Sequence, residues 1–296
     1  MKLSIVIPVH NAHDVTWDSL DRLNRYSVTS PVVIIIDNAS NPSFADWLVQ
    51  NDHALDELQN IRVVIKELKE NVGVWPTFGI GYDEAMDFTY DVSDASEHII
   101  AYFHNDLWIE DAGWDDRVIN GFVDDKQLGM VGFVGSNEWG ANGGRGGGTM
   151  SNFQGIGRGS AAEVHGKRVT DLRPALQVDG CAMIMRRSTM DEVGFFEWPP
   201  HHFYDRIYSL RIIKAGWHVG VFGIACDHIS GQTANTQSGW QDTAKAWCNA
   251  HGISEMTAHN WDYTVYNVAE QRFLTELHEY LAGRQLIRCL YDYSIV

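Results

Sequence analysis

Within the first 110 residues two kinds of segment alternate, and this alternation restricts the possible folds more than any other feature of the chain. Residues 3–9, 32–36, 61–65 and 98–103 are short apolar runs, mostly rich in Val and Ile, as expected of strands buried on both faces. Between them lie amphipathic stretches: 12–26 with Val15, Leu20 and Leu23 on one face, 44–58 with Phe44, Trp47, Leu48, Leu55 and Leu58, and 75–88. Strand and helix in this order predict a parallel sheet with right-handed crossovers. Further strand candidates at 130–134, 181–185 and 219–225 sit in a less regular context, which predicts mixed strand directions there. From 241 onward the pattern is helical and rich in Trp and Tyr. The expected fold class is α/β, a mixed and mainly parallel central sheet flanked by helices. The expected division is a domain over 1–235, with halves 1–110 and 111–235, followed by a helical C-terminal subdomain over 236–296.

Charge and composition narrow the function. Lys and Arg number 22 against 39 Asp and Glu, a formal net charge of -17. Proteins that grip nucleic acid along its backbone gain most of their affinity by neutralising phosphates, so extended nucleic-acid binding is not expected. Charge disfavours DNA without excluding a local basic patch of Arg145, Arg158, Lys167, Arg168 and Arg173. Cys181, Cys226, Cys248 and Cys289 are widely spaced with no C-x-x-C pair, which predicts buried, reduced thiols in a cytoplasmic protein. No apolar run is long enough to cross a bilayer. Between 140 and 159 nine of twenty residues are glycine, a composition that predicts a mobile loop. Its Arg145 and Arg158 would reach a substrate if the loop closes as a lid; a tolerated surface insertion is the equal alternative.

In an open parallel sheet, ligands sit at the carboxyl ends of the strands. The first strand ends in Pro8-Val9-His10-Asn11, the second in Asp37-Asn38-Ala39-Ser40 and the fourth in His104-Asn105-Asp106. Asp and Asn at strand ends are also ordinary turn formers and helix caps, so each residue alone carries two readings.

Taken together, the set resembles the family 2 glycosyltransferases of GT-A fold over residues 1–235. The carriers of the resemblance are Ile5-Val6-Ile7-Pro8-Val9-His10-Asn11, then Asp37-Asn38-Ala39-Ser40, then Asn71-Val72-Gly73 before a helix. Where the family has D-x-D the chain has His104-Asn105-Asp106, which keeps the second acid. Val178-Asp179-Gly180-Cys181 and Val193-Gly194-Phe195-Phe196 resemble the acceptor-side strand and turn. Phe203-Tyr204-Asp205 before Ser209-Leu210-Arg211 takes the place of F-x-E-D-x-D-L-x-x-R, with Tyr204 at the Glu position and Ile207 at that of the second Asp. Cys226-Asp227-His228 resembles the late v-x-H segment.

The resemblance implies an inverting transfer of a sugar from a nucleotide-diphosphate sugar, UDP-sugars favoured, to an acceptor hydroxyl on a glycan, a protein or a hydroxylated nucleobase. It implies nucleotide binding by Pro8, His10, Asn11, Asp37, Asn71, Gly73, His104 and Asn105, with Asp37 on the base. Asp106 and His228 are the implied metal ligands, and Asp179, Gly180, Tyr204 and Arg211 the acceptor side. Asp205 is the implied general base, because a forming glycosidic bond needs a carboxylate to accept the hydroxyl proton. Capping the helix that follows is the alternative for Asp205. A diphosphate leaving group calls for a divalent cation, Mn²⁺ or Mg²⁺, and an imidazole ligand tilts the preference to Mn²⁺. His104 and Tyr204 at usually acidic positions keep a second reading open, a non-catalytic sugar-binding protein of the same fold. A sugar nucleotidyltransferase is the third, disfavoured because His10-Asn11-Ala12-His13 stands where a Gly-rich phosphate loop would follow the first strand.

Overall fold

The computed structural model of the chain describes residues 1–87, 98–140, 143–145, 148–154, 166–229, 238–257 and 260–282. In its first half, β1 (Lys2–Val9), α1 (His13–Tyr26), β2 (Val32–Asp37), α2 (Phe44–Gln50), β3 (Arg62–Glu67), α3 (Val74–Asp87) and β4 (His98–Phe103) follow the expected alternation. The three strands β2, β1 and β4 pair in parallel, with β1 between the other two, and β3 extends the sheet beyond β2.

The central sheet has the order β3-β2-β1-β4-β11-β6-β12-β9, where β6 is Leu128–Gly132, β9 Arg173–Pro174, β11 Ala182–Arg186 and β12 His218–Val221. Strand β11 runs antiparallel to both β4 and β6, and β9 antiparallel to β12. These are the mixed directions predicted for the second half. Two smaller sheets lie beside it. One joins β7 (Val134–Ser136) to β8 (Thr149–Ser151) and β10 (Gln177–Val178). The other pairs β5 (Leu107–Ile109) antiparallel with β13 (Cys226–His228).

Alternating side chains of the strands feed two hydrophobic layers, as the period of two requires. Ile5, Ile7, Val33, Ile35, Ile99 and Ala101 face Leu20 and Leu23 of α1, Phe44 of α2 and Trp114, Val118 and Phe122 of α4 (Trp114–Asp124). Val6, Ile34, Ile36, Ile100 and Tyr102 face Trp75 and Phe78 of α3 and the buried side of α6 (Tyr204–Lys214). A short helix, α5 (Arg187–Val193), follows β11 directly.

Three expected segments are broken, each for a local reason. The helix read over 44–58 stops at Gln50: Asn51 turns its side chain back to the Trp47 carbonyl, Asp52 takes a φ of 55°, and a 3₁₀ turn at Leu55–Glu57 follows. The run 130–134 is divided at Phe133 between β6 and β7, which belong to different sheets. The run 219–225 ends as a strand at Val221, and the chain then re-pairs as β13. The C-terminal region is helical where described, as α7 (Ser238–Ala250) and α8 (Trp261–Ala282). Ala269, Phe273 and Leu277 of α8 join the second hydrophobic layer of the sheet, and Ala244, Cys248 and Val265 form a small cluster between the two helices. Cys181, Cys226 and Cys248 are buried. Phe88, Arg158, Cys289 and much of 140–159 lie outside the described residues. The described part of that loop is held in place: Gly143 N–H donates to the Gly140 carbonyl, Gly140 N–H to that of Gly144, and Gly143 lies against the Phe273 ring.

Arg186, at the end of β11 and only 2% exposed, shows how a charge is accommodated in this core. Its guanidinium donates to the carbonyls of Leu128, Phe122 and Asp125, two of which belong to the C-terminal end of α4, where a cation is favoured by the helix dipole. Arg186→Met keeps the apolar stem but leaves those carbonyls without their donor. Urea unfolding of this variant is expected to show a loss of about 2–4 kcal/mol.

Candidate active site

The strand order reverses between β1 and β4: the connection after β1 leads toward β2 and β3, whereas β4 lies on the other side of β1. Loops that leave neighbouring strands in opposite directions open a crevice at their carboxyl ends. A cleft of about 170 Å³ lies there, walled by Pro8, Val9 and His10 after β1, Asn38 after β2, Asn71, Gly73 and Val74 before α3, and His104, Asn105 and Asp106 after β4. His201, Tyr204, His228 and Trp240 complete it.

The nucleotide-side residues of the sequence reading form one hydrogen-bonded scaffold. The Asn38 side chain donates to Asn71 Oδ1 (2.8 Å) and accepts from Val72 N–H (2.9 Å), tying the β2 end to the turn before α3. His10 Nδ1 lies 2.9 Å from the Asn38 carbonyl. Asn11, at φ 55°, accepts from Asn41 N–H at 2.7 Å. Asn105 Nδ2 donates to Thr16 Oγ1 at 3.0 Å and thereby links β4 to α1. Asp37 is buried, does not line the cleft, and accepts from the N–H groups of Ser40 (2.9 Å) and Phe44 (2.6 Å). Gly73 has a φ of 87°, and a Cβ there would stand 2.5 Å from the Pro200 Cβ. Only glycine lets the Pro200 carbonyl come close enough to accept from Val74 and Trp75, both at 3.1 Å.

Asp106 and His228 meet because β13 pairs with β5 in the register His228↔Leu107, and Ile229 N–H donates to the Asp106 carbonyl at 3.0 Å. His228 Nε2 lies 3.0 Å from Asp106 Oδ1 and 3.3 Å from His104 Nδ1. One ligand atom from each of the three lies within 4.8 Å of the others. Ligands about 2.1 Å from one ion and at right angles to each other stand about 3 Å apart, so these separations suit a shared cation. Asp179, Cys181 and His228 form the other such group among the described residues, at the same place. Burial works to raise the Asp106 carboxyl, but the adjacent His228 imidazole and then His104 outweigh it and hold the group below its usual range.

On the opposite wall, the Tyr204 hydroxyl lies 2.6 Å from His104 Nε2. Burial, then the Asp205 charge, raises the Tyr204 phenol well above its ordinary range, so it keeps its proton. Asp205, half-buried in the first turn of α6, accepts from Gly180 N–H (3.1 Å) through one oxygen and from Arg206 N–H (2.8 Å) through the other. The N-cap of α6 is Phe203, in left-handed geometry. Asp179 pairs with Arg145 and accepts from Cys181 N–H at 2.9 Å. Arg211 does not line the cleft; its guanidinium makes a two-pronged pair with Glu276 of α8, at 3.1 and 2.9 Å. Lys167, Arg168 and Arg173 line a separate depression of about 600 Å³.

A model of the glycosyltransferase-like family matches residues 77–276, more than half of the chain. The chain belongs to the glycosyltransferase-like family. Among solved structures, the mannosyltransferase PcManGT from Pyrobaculum calidifontis, in complex with GDP-Man and Mn²⁺, superposes with a TM-score of 0.50 at 13% identity, over 96% of this chain and 76% of that one. Residues 1–349 of S. aureus TarS give a TM-score of 0.49 at 14% identity, over 96% and 74%. Comparison with curated proteins gave no sequence match. The mixed, mainly parallel sheet flanked by helices is thus the GT-A arrangement expected from the motifs. Among the described residues no helix is long and apolar enough to cross a membrane.

Two walls of this glycosyltransferase-like cleft were not assigned from sequence. Val9 and Asn38, inside quoted motifs but given no role there, and Val74, just after one, line it. His201 and Trp240 stack with ring centroids 3.7 Å apart, and Asp262 of α8 holds both Trp240 Nε1 and His202 Nε2. The contact joins the loop before α6 to both C-terminal helices, so it has no signature in local sequence. The sequence shows only the separate parts: His201 and His202 before Asp205, readable as substrate contacts or as loop residues, and Trp240, one of several aromatics able to offer a flat face to a sugar ring. Neither ring nitrogen of His201 has a hydrogen-bond partner among the described residues. Burial, with His202 adding to it, lowers this imidazole to about 3, against about 6.5 in an unfolded chain. Between those values the unfolded state binds a proton that the folded state does not, so stability falls as pH drops below about 6.5. His201→Phe keeps a ring against Trp240 and removes the titration. Urea unfolding between pH 5.5 and 4 is expected to show a pH slope shallower by about 1.4 kcal/mol per unit in this variant.

Proposed function

We propose that the chain transfers a sugar, with inversion, from a nucleoside-diphosphate sugar to an acceptor hydroxyl, using a divalent cation. The observation that carries this reading is the convergence of His104, Asp106 and His228 at the crevice between β1 and β4 in a chain of the glycosyltransferase-like family. Among the described residues that line this cleft there is no Lys or Arg. A diphosphate held there meets Asp106 without a counter-charge from the lining, and the chain as a whole carries -17, so a bound cation is the simplest source of attraction. A donor set that joins the Asp106 carboxylate to the His228 imidazole fits Mn²⁺ better than Mg²⁺, and Mn²⁺ accompanies GDP-Man in PcManGT. When bound, such an ion would draw charge from the departing diphosphate.

In this reading Pro8, His10, Asn38, Asn71 and Asn105 hold the nucleotide half of the donor by lining the cleft. Asn11, Gly73 and Asp37 act by fixing the loops that carry them. Asp106 and His228 hold the cation. Asp179, Gly180 and Tyr204 form the wall toward the acceptor, while Arg211 supports that wall through Glu276. Asp205 is the base: two backbone N–H bonds orient its carboxylate, and a carboxylate oxygen keeps a second lone pair for the acceptor proton. Residues 1–235 would then carry donor and base, and the helices after 236 one wall of the same cleft through Trp240.

A paired experiment tests the assignment. Asp205→Asn is expected to leave UDP-sugar and Mn²⁺ affinity within about twofold of wild type by calorimetry and to lower the transfer rate by about 10²–10⁴. Asp106→Ala is expected to remove the Mn²⁺ dependence of UDP binding. Near wild-type transfer by Asp205→Asn would place the base elsewhere, and equal UDP affinity in EDTA and in Mn²⁺ for the wild type would remove the cation from the reaction.

A further inference from the structure

Deepening the metal-dependent reading above, on which it rests, we propose that His104 is a third ligand of the cation and that Tyr204 is the positioning residue that makes it one. The centre is then a two-imidazole, one-carboxylate site that selects a transition ion of the Mn²⁺ type over Mg²⁺.

An imidazole can give a lone pair from Nδ1 only if its proton sits on Nε2, and that N–H then needs an acceptor. His104 has both halves of this arrangement. Its Nδ1 faces His228 Nε2 at 3.3 Å, on the Asp106 side, and its Nε2 lies 2.6 Å from the Tyr204 oxygen. The Tyr204 ring has little freedom to leave: it is 7% exposed, stacks on Trp75 (centroids 6.0 Å apart) and meets the Phe78 ring edge-on at 5.7 Å. Room for the hydroxyl comes from Gly180, where a Cβ would stand 2.4 Å from the Tyr204 oxygen. Partners of this kind, one step out from the ion, orient the ligand and raise its basicity, and losing one typically costs 10–100-fold in metal affinity.

The choice of ion follows from the donors. Mg²⁺ demands oxygen ligands in near-ideal octahedral geometry, whereas imidazole suits the later divalent ions. Two of the three side-chain donors at the Asp106 corner are imidazole nitrogens. A centre of this composition discriminates by ligand chemistry, whichever nucleotide occupies the cleft.

The test titrates Mn²⁺ and Mg²⁺ into the full chain with UDP present, by calorimetry, and counts imidazole nitrogens on bound Mn²⁺ by pulsed electron paramagnetic resonance. The expected results are Mn²⁺ binding at least tenfold tighter than Mg²⁺, two coupled nitrogens in wild type and one in His104→Asn. Tyr204→Phe is expected to weaken Mn²⁺ by 10–100-fold and to alter one of the two nitrogen signals, which a purely structural role would leave unchanged. Should Tyr204→Phe fail to fold, Gly180→Ala pushes the hydroxyl off His104 and must give the same loss. A single nitrogen in wild type, or unchanged Mn²⁺ affinity in the folded Tyr204 or Gly180 variant, overturns the inference and leaves the metal-dependent reading standing. A wild type that binds no Mn²⁺ with or without UDP overturns both.

Discussion

Everything at the cleft depends on one pairing, that of β13 with β5. Residues 226–228 reach 107–109 across more than a hundred positions of sequence, and the register His228↔Leu107 sets an imidazole beside Asp106. Two backbone ladders hold the geometry from both sides. β4, which carries His104 and Asp106 at its end, lies between β1 and β11 at the centre of the sheet, while the short β5/β13 pair fixes the return of the chain. Side chains placed by main-chain hydrogen bonds of this kind do not have to meet by chance rotamer choice, and the close His–Asp–His spacing follows from it.

Charge gives that spacing its consequence. A strongly acidic chain repels a diphosphate at long range, and the described lining of the crevice holds no basic side chain to reverse the sign locally. The basic residues Lys167, Arg168 and Arg173 gather instead at a different depression. In such a field a cation is worth more than any single hydrogen bond, since it changes the sign of the potential where the ligand's charge must sit. In the proposed function the polar groups His10, Asn38, Asn71 and Asn105 orient a ligand that the cation attracts. The same division appears on the other wall, where Asp205 is held by backbone N–H groups and Tyr204 remains an uncharged phenol.

The sequence revealed the parts of this arrangement governed by local periodicity. β1, β2 and β4 are buried on both faces, so their apolar runs are nearly unbroken, and the polar residues that end them stand out by contrast. Asp106 and His228 were readable as a pair only through family motifs, because nothing local says that 228 lies beside 106. Where the reading went astray, tertiary context prevailed over pattern. The apolar residues of 44–58 keep helical spacing across a turn that Asn51 and Asp52 impose. The run 130–134 is continuous in hydrophobicity yet serves two sheets. Arg211 matched a motif position but is drawn to Glu276 of a helix that the motif does not include. His201 and Trp240 meet through a ring stack between segments about forty residues apart, which no spacing rule detects.

The central claim is that a cation at the β1/β4 crevice joins this chain to a nucleoside diphosphate. Crystals grown with UDP and Mn²⁺, with diffraction recorded at the manganese edge, test it most directly. An anomalous peak about 2.1–2.3 Å from Asp106, His228 and His104, with the diphosphate bridging from it toward His10 and Asn71, is the predicted result. A diphosphate bound instead against Lys167, Arg168 and Arg173, with no manganese at Asp106, would contradict it.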